Sequence, residues 1–173
     1  MEVYQPAEDS YLLADFLKKY FKENIVESYL DMGTGSGILA EVGINAGIKT
    51  VVAADINPEA VKMAKEKGAK GVITNLFENI KEEFSIISFN APYLPLDPRE
   101  PVESRVATTG GIKGDEITIR FLKEAVKHLN KDGKIFLLVS SLTPMDRIKN
   151  FNPVVVEKKR VFGEDLLVLE ISN

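Results

Sequence analysis

The chain has 173 residues, of which 45% are hydrophobic, and it carries a formal net charge of -4 at pH 7. There is no cysteine and only one histidine, so the composition excludes a disulfide framework and argues against a metal site made of thiolate or imidazole ligands. The acidic balance also gives no overall electrostatic argument for binding nucleic acid or an anionic membrane.

Length and hydrophobic content predict one domain, residues 1–173, with a sizeable core. No apolar run approaches the roughly 20 residues that a bilayer-spanning helix needs. The opening residues, MEVYQPAEDS, have no basic start and no long apolar core, so no signal peptide is predicted. We therefore expect a cytoplasmic protein.

The first half of the chain alternates between helical and strand patterns. EDSYLLADFLKKYF predicts an opening helix, because its apolar residues recur at helical spacing. VESYLDMG predicts a strand that ends at Asp31, SGILAEVGINAG a helix, and TVVAAD a buried strand that ends in an acid. Helix PEAVKMAKEKG and strand GVIT continue the alternation.

The second half continues with strand FSIISF, helix DEITIRFLKEAVKHL, strand GKIFLLVSS and short helix PMDRIKNF. The segment PVVVEKKRVFGEDLLVLEIS predicts two strands that turn around Gly163, Glu164 and Asp165. The predicted fold is α/β, with a doubly wound, mostly parallel seven-stranded sheet and a C-terminal antiparallel hairpin. Residues 94–114 show no regular pattern, and irregular stretches of that length are often functional.

A glycine-rich turn, LDMGTGSG, lies between the first strand and its helix, where open α/β sheets bind ligands. Such a turn alone fits a nucleotide site and a tight structural turn equally well. Asp31 precedes Gly33 by two residues, and its carboxylate would repel the pyrophosphate of a dinucleotide but suits S-adenosylmethionine, which carries an ammonium and a sulfonium. Asp55 could accept hydrogen bonds from the ribose hydroxyls of either ligand.

A second polar turn, NAPY, follows the strand FSIISF directly. Pro92 fixes its own φ and restricts Ala91 to extended conformations, so the Asn90 side-chain oxygen and the Ala91 carbonyl would be two acceptors at a fixed separation. They could aim the amino group of an amide or a base, with the Tyr93 ring packed on its flat face. The predicted catalytic residues are Asn90, Ala91, Pro92 and Tyr93.

The motifs DMGTGSG, AADINPEAV, NLF and NAPY, in this order and spacing, resemble those of class I S-adenosylmethionine methyltransferases. VYQPAEDSYLL together with NAPY resembles more narrowly the HemK family, which methylates the side-chain amide nitrogen of glutamine in release factors. Bacterial members carry a separate helical N-terminal domain that is missing from this sequence. The better match is therefore the short archaeal and eukaryotic branch, which works with a small zinc-binding activator protein.

The resemblance implies where each motif would contact the methyl donor. The acids and serine that open the first helix, within a cap of residues 1–25, would lie over the methionine end, and the glycine turn beside it. The residues after the second and third strands would lie at the ribose and the adenine. The predicted cofactor-binding residues are Glu8, Asp9, Ser10, Asp31, Gly33, Thr34, Gly35, Gly37, Asp55, Ile56, Asn75, Leu76 and Asn90.

Two residues depart from the family pattern. The family usually has NPPY where this chain has Ala91, a change that loosens the turn but keeps the backbone carbonyl. The family usually has Asp where this chain has Asn75, whose amide oxygen still accepts a hydrogen bond. The resemblance also implies that strand GVIT lies at a sheet edge, where Val72 and Ile73 would be exposed and covered by a strand of the activator.

Several motifs have a purely structural interpretation as well as a functional one. Pro6, Glu8 and Asp9 also fit a simple helix cap, and EKKR, residues 157–160, fits a solvated hairpin as well as a nucleic-acid contact. The glycines at 110, 111 and 114 predict either a flexible substrate loop or spacers before the next helix.

Three functional hypotheses follow. The leading one is a protein-glutamine N5-methyltransferase that acts on a release factor. The alternatives are an amino-methyltransferase on adenine or guanine in nucleic acid, and a non-catalytic module that binds the donor for a partner.

Overall fold

The protein, described here by a computed structural model over residues 3–95 and 109–172, alternates helices and strands along the chain. The helices are α1 (Glu8–Glu23), α2 (Ile38–Asn45), α3 (Pro58–Glu66) and α4 (Glu116–Ala125), with 3-10 turns at Val126–His128 and Ile148–Phe151. The strands are β1 (Ser28–Met32), β2 (Thr50–Asp55), β3 (Lys70–Ile73), β4 (Phe84–Asn90), β5 (Leu94–Pro95), β6 (Thr109–Gly111), β7 (Leu129–Ser140), β8 (Val154–Val161) and β9 (Glu164–Ser172).

Seven strands form the main sheet in the order β3-β2-β1-β4-β7-β9-β8. Strands β1 to β4 and β7 are parallel, whereas β9 runs antiparallel to β7 and pairs with β8 in a hairpin. The predicted doubly wound α/β sheet with an antiparallel hairpin is thereby confirmed. The predicted position of the hairpin turn was wrong. Phe162 and Gly163 form the turn, both with positive φ, and Glu164 and Asp165 already pair in β9.

The sheet is buried on both faces. Side chains from α1, α2 and α3 cover one face together with Tyr29 of β1, and side chains from α4 cover the other together with Leu30. Since successive strand residues point to opposite faces, the parallel strands need apolar residues on both sides. This explains why β2 and β4 are nearly continuous apolar runs.

The strand order reverses between β1 and β4, because β2 follows β1 on one side and β4 pairs with it on the other. At such a switch point the loops after neighbouring strands diverge to opposite faces and leave a crevice at the strands' carboxyl ends. Both polar turns of the sequence follow strands that end at this crevice.

Strand β3 lies at one edge of the sheet, as predicted. Ile73 is exposed on it. The prediction of an exposed Val72 was wrong, because this side chain is half-buried and packs against the core on the α4 side of the sheet.

A short pair, β5 with β6, was not predicted. Leu94 pairs with Thr109 and Pro95 with Gly111, so the two ends of the irregular stretch 94–114 are joined to each other. The middle of that stretch, residues 96–108, lies outside the described residues. Within residues 3–95 and 109–172, no helix has both the length and the apolarity needed to cross a bilayer.

Candidate active site

A cavity of about 300 Å³ opens at the carboxyl ends of β1, β2 and β4. That size lies at the lower end of the range for small-molecule sites. Most of the residues predicted for the site line it together. They are Asp9, Ser10, Gly33, Thr34, Gly35, Asp55, Ile56, Asn75, Leu76, Asn90, Ala91, Pro92 and Tyr93. The other three predicted residues, Glu8, Asp31 and Gly37, do not line it.

The glycine turn needs its glycines for two separate reasons. Gly33, Gly35 and Gly37 all have positive φ, which a side chain rarely adopts. A Cβ at Gly33 would also lie only 2.8 Å from the Phe89 ring, and one at Gly37 would lie 3.2 Å from Ala64 Cα. Gly33 therefore lets the backbone approach the cavity wall, while Gly37 begins α2 and lets it pack closely on α3.

Asp31 lies beneath the turn and has no exposed surface. Its carboxylate accepts hydrogen bonds from Thr34 Oγ1 at 2.7 Å, from the Ala40 backbone N–H at 3.1 Å and from Ser88 Oγ at 3.3 Å. Burial raises the pKa of Asp31 to about 7, although these three bonds oppose the shift. The argument that its charge meets the ligand at the mouth of the turn therefore needs correction: Asp31 supports the turn from inside the core.

Asp55 does line the cavity, and it also holds the turn in place. Its carboxylate accepts from the backbone N–H of Gly35 at 2.9 Å and from that of Asn57 at 2.8 Å. Asn57 in turn caps α3 by accepting from the N–H of Glu59. The carboxylate thus connects the loops after β1 and β2, and its remaining lone pairs are available to a ligand.

The segment before α1 closes the cavity from the α1 side. Tyr4 lines the cavity and donates its hydroxyl hydrogen to Asp9, at 3.1 and 3.2 Å from the two carboxylate oxygens. Burial, followed by the Asp9 charge, raises the pKa of Tyr4. The N-cap of α1 is Ala7, which makes no side-chain cap, so Asp9 is not the helix cap that the structural interpretation predicted.

Asn90 ends β4 at the wall of the cavity. Its Nδ2 donates to Ser10 Oγ at 3.3 Å, whereas its Oδ1 is buried and has no hydrogen-bond partner among the described residues. A buried carbonyl oxygen without a donor is costly, and it marks a position that a ligand N–H would satisfy. The next residue, Ala91, is buried as well.

The glycines before α4 pack against the back of this turn. A Cβ at Gly110 would lie 2.5 Å from the carbonyl oxygen of Pro92 and 2.2 Å from that of Gly114. Glu116 then accepts from the backbone N–H groups of Lys113 and Gly114. Gly110 is thus needed for close packing behind the polar turn, and it is not a simple spacer.

Tyr93 is half-buried, with its ring against the core face that α1 covers. Burial, together with the charges of Asp9 and Glu164, raises its pKa, so the phenol stays neutral. Asn75 and Leu76 lie on the far side of the cavity, after β3. Asn75 donates an amide hydrogen to Glu78 at 2.8 Å, and Leu76 has a positive φ of 51°.

Sequence reasoning missed several lining residues, among them Tyr4, Phe89, Ile117 and Arg120. Tyr4 stands within the quoted motif VYQPAEDS, but a single tyrosine before a helix has no periodic pattern to reveal its position. Arg120 belongs to α4, whose helical spacing gave no sign of a ligand. The described residues contain no cluster of three or more acidic or histidine side chains that could hold a metal ion.

The chain is similar to several methyltransferases. The family model described as ribosomal protein L11 methyltransferase matches residues 13–90. A protein of Methanocaldococcus jannaschii, provisionally named a protein N5-glutamine methyltransferase, is 36% identical over 182 residues, which cover 97% of this chain and 90% of that protein. Mouse methyltransferase HEMK2 is 34% identical over 153 residues, covering 79% of this chain and 71% of that protein.

Solved structures share the fold at lower sequence identity. A ribosomal protein L11 methylase from Lactobacillus delbrueckii subsp. bulgaricus superimposes with a TM-score of 0.70 at 20% identity, covering 99% of this chain and 82% of that chain. The N-methyltransferase NodS from Bradyrhizobium japonicum WM9, in complex with S-adenosyl-L-homocysteine, gives 0.66 at 15% identity, covering 98% and 89%.

Proposed function

This chain belongs to the HemK-like family of class I S-adenosylmethionine-dependent methyltransferases, and from that membership we propose that it methylates the side-chain amide nitrogen of a glutamine in a peptide-chain release factor. The observation that carries the proposal is the buried Oδ1 of Asn90, an acceptor without a partner among the described residues at the wall of the cavity. A primary amide is one of the few neutral groups that offer two N–H donors to such a site.

The cavity suits a cationic methyl donor. Of the charged residues that line it, Asp9 is buried and Asp55 is half-buried, whereas Arg120 is exposed to solvent. A negative potential in a partly desolvated cavity attracts an ammonium and a sulfonium and opposes a pyrophosphate. S-adenosylmethionine supplies a methyl group on a sulfonium and leaves as a neutral thioether. The preference for a cationic donor, which was predicted from Asp31, is therefore attributed to Asp9 and Asp55 at the cavity wall.

Three regions of the cavity contact three different parts of the donor. Asp9 and Ser10, at the start of α1, hold the methionine end. Asp55 accepts from the ribose hydroxyls, as a carboxylate after the second strand does in related folds. Ile56, Asn75 and Leu76 surround the adenine, and Asn75 keeps its amide oxygen for the adenine amino group because its nitrogen is already bonded to Glu78.

The acceptor nitrogen is held by the turn after β4. The amide of the substrate donates one hydrogen to Asn90 Oδ1 and the other to the Ala91 carbonyl. Pro92 restricts the backbone between these two acceptors, and the neutral Tyr93 ring packs on the flat amide. Alignment of this kind can lower a barrier by roughly 7 to 11 kcal/mol, and both acceptors face the nitrogen where positive charge develops.

Nucleic acid fits this chain less well as a substrate. The cations of EKKR are paired with acids: Lys158 and Arg160 contact Asp165, and Lys159 contacts Glu8. A phosphate would have to displace these carboxylates. The same two-acceptor turn serves an exocyclic base amine, so the choice of substrate needs a direct experiment.

The deciding experiment compares labelled methyl transfer into purified release factor, tRNA and DNA, with wild-type protein and the Asn90→Ala variant. We expect label in release factor alone, at a rate about 100-fold to 1000-fold lower with the variant than with the wild type. Label confined to nucleic acid would overturn the substrate, and calorimetry that gave tighter binding of NAD than of S-adenosylmethionine would overturn the donor.

We further propose that a small zinc-binding activator pairs with β3. Two features support this: β3 is an edge strand of the main sheet, and Ile73 is 53% exposed on it. The Ile73 carbonyl accepts from Asn79 Nδ2 at 3.0 Å, and an added strand would have to displace this side chain. Ile73→Asp should abolish capture of the activator in a pull-down while donor affinity stays unchanged. Ile25→Asp, which changes the same residue type at a more exposed site elsewhere, is the control; normal capture by Ile73→Asp would contradict the pairing.

A further inference from the structure

The tip of the β8–β9 hairpin is formed by Phe162 and Gly163. Phe162 is fully exposed and has a φ of 45°, and Gly163 has a φ of 94°. Two-residue turns with positive φ at both positions favour Asn and Gly, and a bulky residue there is a conformational outlier. Phe162 thus exposes an apolar ring to water and adopts a backbone conformation that a bulky residue disfavours. Residues with such unfavourable local features tend to be found at functional sites.

The tip lies at the same end of the sheet as the cavity. Since β9 runs antiparallel to β7, its first residues lie beside the end of β7: Ser141 N–H donates to the Asp165 carbonyl at 2.7 Å, and Asp165 N–H donates to Ser141 Oγ at 3.0 Å. That end of β7 is also the carboxyl end of β4, where the catalytic turn begins. Phe162 therefore flanks the edge at which an acceptor enters.

A side-chain hydrogen bond connects the tip to the end of β7, and a charge at the tip acts on Tyr93. Glu164, the second residue after Phe162, accepts a hydrogen bond from Ser140 Oγ, and its charge is one cause of the raised pKa of Tyr93, after burial and the charge of Asp9. Leu142, two residues beyond Ser140, is a second exposed apolar side chain at this end, at 61% exposure. Two exposed apolar side chains, Phe162 and Leu142, thus lie at the end of the sheet where the cavity opens.

The charges around the tip indicate which kind of macromolecule this surface fits. Asp165 pairs with Lys158 at 2.7 Å and with Arg160 at 3.2 Å, and Glu8 pairs with Lys159. The cations nearest the tip in sequence are thereby neutralised within the chain. An exposed aromatic side chain among internally paired charges matches the composition of protein interfaces, where aromatic anchors enter apolar depressions on the partner.

We propose that Phe162 is a docking residue, which enters an apolar depression on the folded protein that carries the acceptor glutamine. This inference rests on the proposed function and adds a second recognition element to it. The cavity binds the glutamine and its immediate neighbours, whereas the hairpin tip contacts a part of the substrate that exists only when that protein is folded.

The test compares two substrates and two variants. The substrates are purified intact release factor and a synthetic peptide with the same Gly-Gly-Gln segment. The variants are Phe162→Asn, which suits the turn better than the native residue, and Ile25→Asn, which removes an equally exposed side chain between α1 and β1, at the opposite end of the sheet. Because Phe162→Asn relieves the backbone conflict, its Tm should equal or exceed that of the wild type.

With intact release factor, we expect Phe162→Asn to raise KM at least tenfold while kcat stays unchanged. With the peptide, kcat/KM should equal that of the wild type, and Ile25→Asn should change neither substrate. An unchanged KM for intact release factor, or an equal loss with the peptide, would overturn the docking role alone. A wild-type protein that transfers no methyl group to release factor would overturn the proposed function and this inference together.

Discussion

The two sides of the cavity differ in how completely their polar groups are bonded. On the donor side, the carboxylates of Asp9 and Asp55 accept hydrogen bonds from the chain itself, and so does that of Asp31 beneath the glycine turn. On the acceptor side, Asn90 Oδ1 is buried without a partner in the described part of the chain. Under the proposed function, the difference means that the donor side is built before any ligand arrives, whereas the acceptor side is completed by its substrate.

The largest effect should come from the unbonded acceptor. Asn90→Ala should lower methyl transfer about 100-fold to 1000-fold, since one of two acceptors that align the nitrogen in the transition state is lost. Donor affinity, measured by calorimetry, should hardly change. A variant with near-normal turnover would remove the distinction between the two sides, and a variant that bound the donor poorly would place Asn90 on the donor side.

A loss of stability should follow from filling the donor-side turn. Gly33→Ala combines a positive φ with a Cβ 2.8 Å from Phe89, and it should cost about 3 kcal/mol in free energy of unfolding. Gly47→Ala is the matched control, because its φ is 78° and nothing lies within 4 Å of the added Cβ. That variant should cost about 1 kcal/mol in the same urea titration. Equal losses would mean that the close approach to Phe89 is unimportant.

The buried carboxyl group of Asp31 should make stability depend on pH. Its pKa is raised from 3.8 to about 7 in the folded chain, so between these values the folded state keeps a proton that the unfolded state releases. The free energy of unfolding should therefore fall as pH rises through this window, by up to about 1 kcal/mol per pH unit, and level off above pH 7.

Asp31→Asn should remove this slope while keeping the fold. The amide oxygen can accept from Thr34 and Ala40, and the amide nitrogen can donate to Ser88. Urea titrations at intervals from pH 4 to pH 8 give the comparison, in which the difference between wild type and variant is the quantity of interest. Parallel curves would show that Asp31 does not titrate in this range.

The smallest effect should come from the ion pair that joins the hairpin to α1. Lys159 and Glu8 are 47% and 51% exposed, so Lys159→Ala should change the free energy of unfolding by less than about 0.5 kcal/mol. Lys18→Ala, which breaks the exposed pair with Asp15, is the control and should behave alike. A loss above about 1 kcal/mol for Lys159→Ala alone would mean that this pair organises the acceptor side.

Much of this architecture could be predicted from sequence, because apolar spacing and glycine position are local signals. The alternation of strands and helices and the two polar turns follow from such signals, whereas the edge position of β3 was implied by the resemblance to a known family. The direction of the Asp31 side chain, toward the interior, could also have been predicted from the sequence. Tyr29 and Asp31 are two residues apart in a strand and so share a face, which α1 and α2 cover.

Other features depend on contacts between distant segments. Tyr4 approaches the glycine turn at Gly35 only after α1 has packed on the sheet, and β5 meets β6 across a gap of more than ten residues. Asn90 Oδ1 has no hydrogen-bond partner among residues 3–95 and 109–172, and this depends on all the segments that pack around it. No local pattern encodes features of this kind, whereas an aromatic residue in a two-residue turn, Phe162, could have been noticed as a conflict.

The position of β9 between β7 and β8 has a consequence for synthesis on the ribosome. β7 emerges with β4 already available on one side, but its other edge stays unpaired until β9 has left the exit tunnel. During that interval, the apolar strand β7 presents open backbone groups to solvent, a condition that favours association with other nascent chains. A tight hairpin shortens the exposure, because β8 and β9 can form locally and dock as a unit.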